Sequence, residues 1–311
     1  MIKQEINELK RLYTPSNCSI TRICGCYVDG EKNKKTEFKE AFLSLPEEEI
    51  FKYFELLRKT LSGSLGKNLL NLDFPLASEQ EGGTQAALLA LRDSKLKDDA
   101  LIEEFYDRVI NTYEYVGNYL ILLIHDAYDV PGKTTDGLTM DDASDTVFEY
   151  IMCCICPVNL SKPGLSYDNI NNEFHNRIRD WVVEMPETGF LFPSFNDRAT
   201  DIHSTLFYSK NPEEAHSEFV ENILGCTMPL SAGTQKEAFQ ALIEETLGNE
   251  VEYEVVKNIH ENLTEMIEEH KEIPEPLTLD KNQVKSLFEK SGVKEEKLTD
   301  FDKLYDAAAG E

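Results

Sequence analysis

No stretch of about eighteen consecutive apolar residues occurs in the chain, so nothing in it reads as a membrane-spanning helix. The opening residues, MIKQEINELKRLY, are amphipathic and lack the apolar centre and small-residue cleavage site of a secretory signal. Positive charge is scarce: 31 Lys and Arg stand against 58 Asp and Glu, a net charge of −27. A surface of that sign has no general affinity for a nucleic-acid backbone, so neither general DNA binding nor a membrane partner is expected. Seven cysteines in 311 residues, an odd number, suit reduced thiols in a cytoplasm better than a disulfide framework. Internal repeats and low-complexity tracts are missing, as are a nucleophile elbow and a His-Glu-x-x-His zinc signature.

What charge there is falls unevenly. Residues 1–39 hold eight Lys and Arg against five Asp and Glu, whereas residues 213–311 hold nine against twenty-four. Residues 2–13 have a helical apolar face of Ile2, Ile6, Leu9 and Tyr13, ended by Pro15. Pro46 and three glutamates open a second helix, and Asp98 and Asp99 start another. The middle of the chain has strand patterns: Ser19–Val28, the unbroken apolar runs Tyr119–Ala127 and Val147–Val158, then Arg177–Met185, Phe190–Phe195 and Ile202–Tyr208. Arg177–Met185 is expected to meet Phe190–Phe195 across its Pro-Glu-Thr-Gly turn. From Asn211 onward the pattern is helical, with Asn211-Pro212-Glu213-Glu214 as one start and a capping box at Thr234–Glu237 as another. A helix follows over Val251–His270, then a linker at Pro274 and Pro276, then two short helices around Gly292.

These elements predict an α+β fold: a mostly antiparallel central sheet flanked by N-terminal helices, with an acidic C-terminal helical region. Three regions are expected, at 1–212, 213–272 and 273–311.

The densest polar cluster lies in GFLFPSFNDRATDIHSTLFYSK, where Asn196-Asp197-Arg198-Ala199-Thr200-Asp201 separates two apolar runs. Short Asp and Asn side chains reach backbone groups two residues on, so the cluster reads as a self-capped turn with Arg198 paired to a carboxylate. The same groups, Asp197, Arg198, Asp201 and His203, could join His125 and Asp126 at the end of the run 119–127 for acid–base chemistry. Ala127–Thr134 matches the loose phosphate-loop pattern, but Pro131 lacks an N–H and Asp129 puts a negative charge in the loop, so a turn is expected. Cys24 and Cys26 share one strand face, and Cys154 and Cys156 another, with Cys153 opposite. A four-sulfur zinc site would need those strands to be neighbours, and plain core thiols are expected instead. No metal and no cofactor is predicted.

Several runs resemble one family. They are TRICGCYVDGEKNKKTE, LSGSLGKNLLN, LRDSKLKDD, LSKPGL, IRDWVVEMP, GFLFPSFNDRATDIHS and EVVKNIHENLTEMIEEHKE, spread over nearly the whole chain. They resemble the domain of unknown function 4317 family of Gram-positive bacteria. The resemblance implies no activity, cofactor or site residue. The function expected is therefore a non-catalytic cytoplasmic binding or assembly module with a protein or ribonucleoprotein partner. The alternative is a hydrolase or nuclease using His125, Asp126, Asp197, Arg198, Asp201 and His203.

Overall fold

The computed structural model describes residues 1–133, 139–140, 146–213, 216–229, 232–248, 253–270 and 277–309. Its contacts divide the chain into two compact units, Met1–Met228 and Pro229–Glu311.

The first unit is built on one antiparallel sheet. In chain order its strands are β1 (Ile20–Val28), β2 (Lys34–Ala41), β3 (Leu69–Asp73), β4 (Asn118–Asp129), β7 (Val147–Leu160), β10 (Trp181–Val183), β11 (Thr188–Phe192) and β14 (Ser204–Ser209). Short pairs lie outside it: β5 (Gly132–Lys133) with β6 (Thr139–Met140), β8 (Leu165–Asp168) with β9 (Glu173–Asn176), and β12 (Ser194–Asn196) with β13 (Ala199–Asp201). The order across the sheet is β2-β1-β4-β7-β11-β14-β3, with β10 also on β7. The expected strands near 20–28, 119–127, 147–158, 178–185, 190–195 and 202–208 all contribute to this one sheet.

The unbroken apolar runs at the centre follow from cover on both faces. Ile121 and Leu123 of β4 enter one core with Leu88 and Leu91 of α3 (Thr84–Asp93), Phe105 and Val109 of α4 (Asp99–Thr112), and Phe219 of α5 (Ser217–Phe219). Leu120, Leu122 and Ile124 enter a second core with Ile6 and Leu9 of α1 (Lys3–Lys10) and Phe54 and Leu57 of α2 (Glu47–Thr60). A strand sandwiched this way has no solvent face to carry polar residues. Asp98 caps α4 as expected, accepting from the Ala100 and Leu101 N–H groups.

Four details differ from the sequence reading. Residues 181–183 and 188–192 do not form a hairpin with each other. Both lie end to end along β7, at 158–160 and 151–155, because the intervening turn keeps its own bonds to β7 through the Glu184 and Glu187 N–H groups. The run 190–195 breaks at Pro193, after which Ser194–Asn196 turns off to pair with β13. At Asn211 no helix begins; its side chain accepts from the Glu213 N–H in a local turn, and the helical segment starts at Ser217. Glu214 lies outside the described residues. Residues 217–224 pack into the core of the first unit through Phe219, Val220, Ile223 and Leu224.

The second unit holds α6 (Ala232–Leu247), α7 (Tyr253–His270), α8 (Lys281–Lys290) and α9 (Phe301–Ala309) around one core that includes Leu242, Ile259, Leu287, Phe288 and Phe301. Thr234 lies inside α6 and does not cap it. The cap in this unit is at α8, where Asp280 and Gln283 bond reciprocally to each other's backbone N–H. Gly292, at φ +96, makes the turn between the last helices as the sequence suggests. Val251, Pro274 and Pro276 are outside the described residues.

Gly189 of β11 leaves no room for a side chain against β7 and α2. A Cβ there would sit 2.3 Å from the Cys153 carbonyl oxygen and 2.9 Å from the Thr60 methyl. Gly189→Ala must push two paired strands apart, and a loss of about 1–3 kcal/mol is expected from the urea midpoint. An unchanged midpoint would show that the sheet yields freely at this point.

Candidate functional site

The polar turn is built by β12 and β13. Their pairing of Asn196 with Ala199 leaves a two-residue loop, Asp197 at φ +50 and Arg198 at φ +58. Two consecutive left-handed residues are the signature of the tight turn whose twist matches antiparallel strands. Asp tolerates that conformation; Arg has no intrinsic preference for it and must be held there. The Arg198 N–H donates to Glu5 Oε1 at 3.3 Å. Its Nη2 donates to the Pro131 carbonyl at 2.9 Å and pairs with Glu8 Oε1 at 3.0 Å. Tyr128 donates its hydroxyl to the same Glu8 oxygen at 2.8 Å. The turn is thereby tied to α1 and to the end of β4.

Asp201 serves the turn from within. Its Oδ2 accepts from Asn196 Nδ2 at 2.6 Å and from the Ser204 hydroxyl at 2.7 Å, and its Oδ1 accepts from the His203 N–H at 3.0 Å. Partial burial alone would raise the Asp201 pKa, but the bonds from Ser204, Asn196 and the His203 N–H bring it below the usual carboxylate value. His203 itself is exposed and its Nδ1 meets Glu79 Oε1 at 2.7 Å.

His125 and Asp126 are neighbours in β4 and therefore point to opposite faces. His125 is fully buried, with Nδ1 2.7 Å from the Thr21 hydroxyl and no hydrogen-bond partner at Nε2. Burial pushes its pKa down to about 4, with Glu149 opposing the shift and Lys95, Arg92 and Lys97 adding to it. Asp126 lies on the other face, its Oδ2 accepting from the Tyr150 hydroxyl at 2.7 Å, and Tyr150 in turn lies 3.0 Å from the Tyr13 hydroxyl. Burial raises the Asp126 pKa, against its hydrogen bonds from Tyr150 and neighbouring groups. Asp201 and His203 meet within the turn, but no hydrogen bond or ion pair joins the His125/Asp126 pair to the turn among the described residues.

One cleft of about 750 Å³ opens beside this region, lined by Glu8, Arg11, Ser19, Tyr128, Asp129 and Arg198 among others. Of the six predicted residues only Arg198 lines it. Two arginines face two carboxylates there, so no excess of one sign builds up to favour a phosphate or a cation.

The cysteines do not assemble. Cys24, Cys26 and Cys153 lie in one core and Cys154 and Cys156 in the other, and β4 separates β1 from β7. Burial raises the thiol pKa of Cys26, Cys154 and Cys226 to about 12, which leaves them protonated and unreactive at neutral pH. Among the described residues no group of three His, Cys, Asp or Glu is placed to hold a metal ion. The phosphate-loop pattern at Ala127–Thr134 runs from β4 into β5, a two-residue strand; Thr134 and residues 135–138 are outside the described set.

The sequence reading expected a strand over Arg177–Met185 but missed the arm at 160–185 of which it forms one side. β7 and its return continue beyond the sheet as a two-stranded ribbon: Leu160 pairs with Trp181, the Ser161 N–H donates to the Asp180 carbonyl, the Arg177 N–H donates to that of Gly164, and β8 pairs with β9. Register puts Leu165, Tyr167 and Phe174 on one face and Ser166, Asp168, Glu173 and His175 on the other. Both faces are open to solvent. Ile170 is 88% exposed, Phe174 71%, Trp181 56% and Tyr167 53%. The available signal was the scatter of Tyr167, Ile170 and Phe174 through the Asn-rich stretch 169–176, just before the expected strand that carries the one tryptophan, Trp181.

The model of the family described as Domain of unknown function (DUF4317) matches residues 1–311, the whole chain, and the chain belongs to that family. No curated protein matches it. Among the described residues no helix is long and apolar enough to cross a membrane.

Two outcomes follow from the geometry. Asp201→Ala strands three donors and is expected to lower stability by about 1–3 kcal/mol, read as a fall in the thermal midpoint. His125 is neutral in the folded chain down to about pH 4 but protonates near 6.5 when unfolded. Its contribution is therefore intact above pH 6.5 and lost as pH falls from 6.5 towards 4, about 3 kcal/mol in all. Urea unfolding at pH 7 and pH 4.5 should show a smaller acid loss for His125→Asn than for the wild type; equal losses would contradict the assignment.

Proposed function

We propose that this member of the family is a non-catalytic binding or assembly module that acts in the cytoplasm and meets a protein partner, free or within a ribonucleoprotein, through the ribbon arm. The arm carries this reading. Monomeric proteins rarely leave large contiguous apolar surfaces in water, and the largest patch on a typical one is about 300–600 Å². With an aromatic side chain taken as ~200 Å², the exposed parts of Tyr167, Phe174 and Trp181 alone amount to roughly 350 Å². Leu160, Leu165, Ile170, Ile178, Val182, Val183 and Met185 are also exposed and bring the total, summed over both faces of the ribbon, to on the order of 1,000 Å². Aromatic anchors of this kind dominate protein interfaces. The net charge of −27 speaks against a bare nucleic acid as the partner, and seven unpaired cysteines suit a reducing compartment.

The rival reading, a hydrolase or nuclease, requires a converging His/Asp/Arg set. His125 and Asp126 point to opposite faces of β4 and bond to Thr21 and Tyr150, apart from the turn that holds Arg198, Asp201 and His203, and that separation favours the binding module.

The test is capture from a host lysate at physiological salt with the wild-type chain and with Ile170→Asp/Phe174→Asp. Both side chains are exposed, so the variant should melt at the wild-type temperature. A protein retained by the wild type should be held at least about 30-fold more weakly by the variant, the scale of a lost hot spot. Nuclease treatment before capture separates a bare protein from a ribonucleoprotein. Identical capture by the two chains would end this reading.

A further inference from the structure

We infer that the cleft between α1 and the end of β4 binds a short peptide with free termini, its carboxylate on Arg11 and its ammonium on Asp129. None of the residues lining the cleft belongs to the arm, so this site is separate from the surface proposed above.

The cleft is preformed. Its volume, about 750 Å³, is within the ~300–1,000 Å³ of small-ligand sites. Gln4, Asn7, Glu8 and Arg11 stand at helical spacing on one face of α1 and line it, while Ile6 and Leu9 enter the second core from another face of the same helix. Ala127, Tyr128 and Asp129 of β4 line it as well. The two elements are tied together across one end. Glu8 Oε1 takes the Tyr128 hydroxyl and Arg198 Nη2, and the same Nη2 donates to the Pro131 carbonyl. A ligand therefore meets side chains whose backbones are already fixed, with little left to order on binding.

The groups left over select the ligand. Glu8 and Arg198 satisfy each other, but the side chains of Gln4, Asn7, Arg11 and Asp129 make no hydrogen bond or ion pair among the described residues. What remains is one guanidinium, one carboxylate and two primary amides. A phosphate would gain Arg11 and be repelled by Asp129; a metal or organic cation would meet the reverse. A neutral sugar would strip water from both charges and replace it with neutral bonds only. An amino-carboxylate zwitterion answers both charges at once, since a guanidinium takes a carboxylate through two parallel bonds. The amides of Gln4 and Asn7 each offer a donor and an acceptor, the pair that a peptide group presents. The inner wall adds a second observation. Ser19 lines the cleft, and its hydroxyl lies against the Asp126 carboxyl without the geometry of a hydrogen bond. Ser19 Oγ and Asp126 Oδ1 are both buried with no partner. Unsatisfied buried polar atoms are rare in folded chains and mark places where a further group completes the set.

The test is calorimetric titration of the full chain with alanine peptides of two to four residues and with Ala-X-Ala tripeptides, X being each common amino acid. At least one should saturate with a Kd below about 1 mM. Arg11→Gln should weaken that peptide at least about 10-fold and have no effect on its C-terminal amide. Asp129→Asn should weaken it as much and have no effect on its N-acetyl form. Both side chains are exposed and unpaired, so each variant should melt at the wild-type temperature. Absence of saturable binding by every peptide at about 10 mM overturns the inference. So does a peptide whose affinity is indifferent to both substitutions, which would place it elsewhere on the chain. Inorganic phosphate or maltotriose binding more tightly than the peptides, with loss in Arg11→Gln, would assign the cleft to another ligand and overturn it too.

Discussion

The pairing of β4 with β7 sets the rest of the first unit. Twelve consecutive residues of β4, Asn118 to Asp129, lie in register with Val158 to Val147 without a break. Along their middle, Tyr119–Ile124 and Tyr150–Val158, both strands are apolar on both sides, so two separate layers of helix must cover them. α3, α4 and residues 217–224 supply one layer, and α1 and α2 the other. Each face depends on the other because the same backbone carries both. The sheet can afford polar groups only near its ends, which is where His125 and Asp126 fall.

That dependence explains what could be read from the sequence. A strand buried on two faces writes an unbroken apolar run, and both central strands were legible for that reason. The edge strand β2, KKTEFKEA, carries charge at every second or third position and buries almost nothing, so it left no apolar signal. β3 is short and also lies at an edge. The helix start at Asp98 was legible because caps are local chemistry. Thr234–Glu237 has the same letters as a cap, yet α6 begins before it; propensity alone does not say where a helix enters.

The candidate site was legible only in part. The cluster around Asp197 and Asp201 announced a turn, and the turn is there. Its partners were beyond reach, since Glu5 and Glu8 lie nearly two hundred residues earlier and meet Arg198 only through the fold. His125 and Asp126 looked like a pair because they are adjacent, but adjacency in a strand means opposite faces. The alternation of Arg177–Met185 was legible as a strand, but β8 and β9 were missed for a complementary reason: an exposed ribbon has the composition of a loop, and its apolar residues are too sparse to mark a buried strand.

The arm is not an appendage joined by a flexible linker. It is the prolongation of β7, the strand gripped by β4 on one side and by β10 and β11 on the other. A pull along the ribbon therefore does not peel the sheet open one bond at a time. It loads the flanking ladders in shear, with many hydrogen bonds resisting together, and delivers the force to the best-packed part of the molecule. Mechanically the arm is a handle embedded in its own foundation.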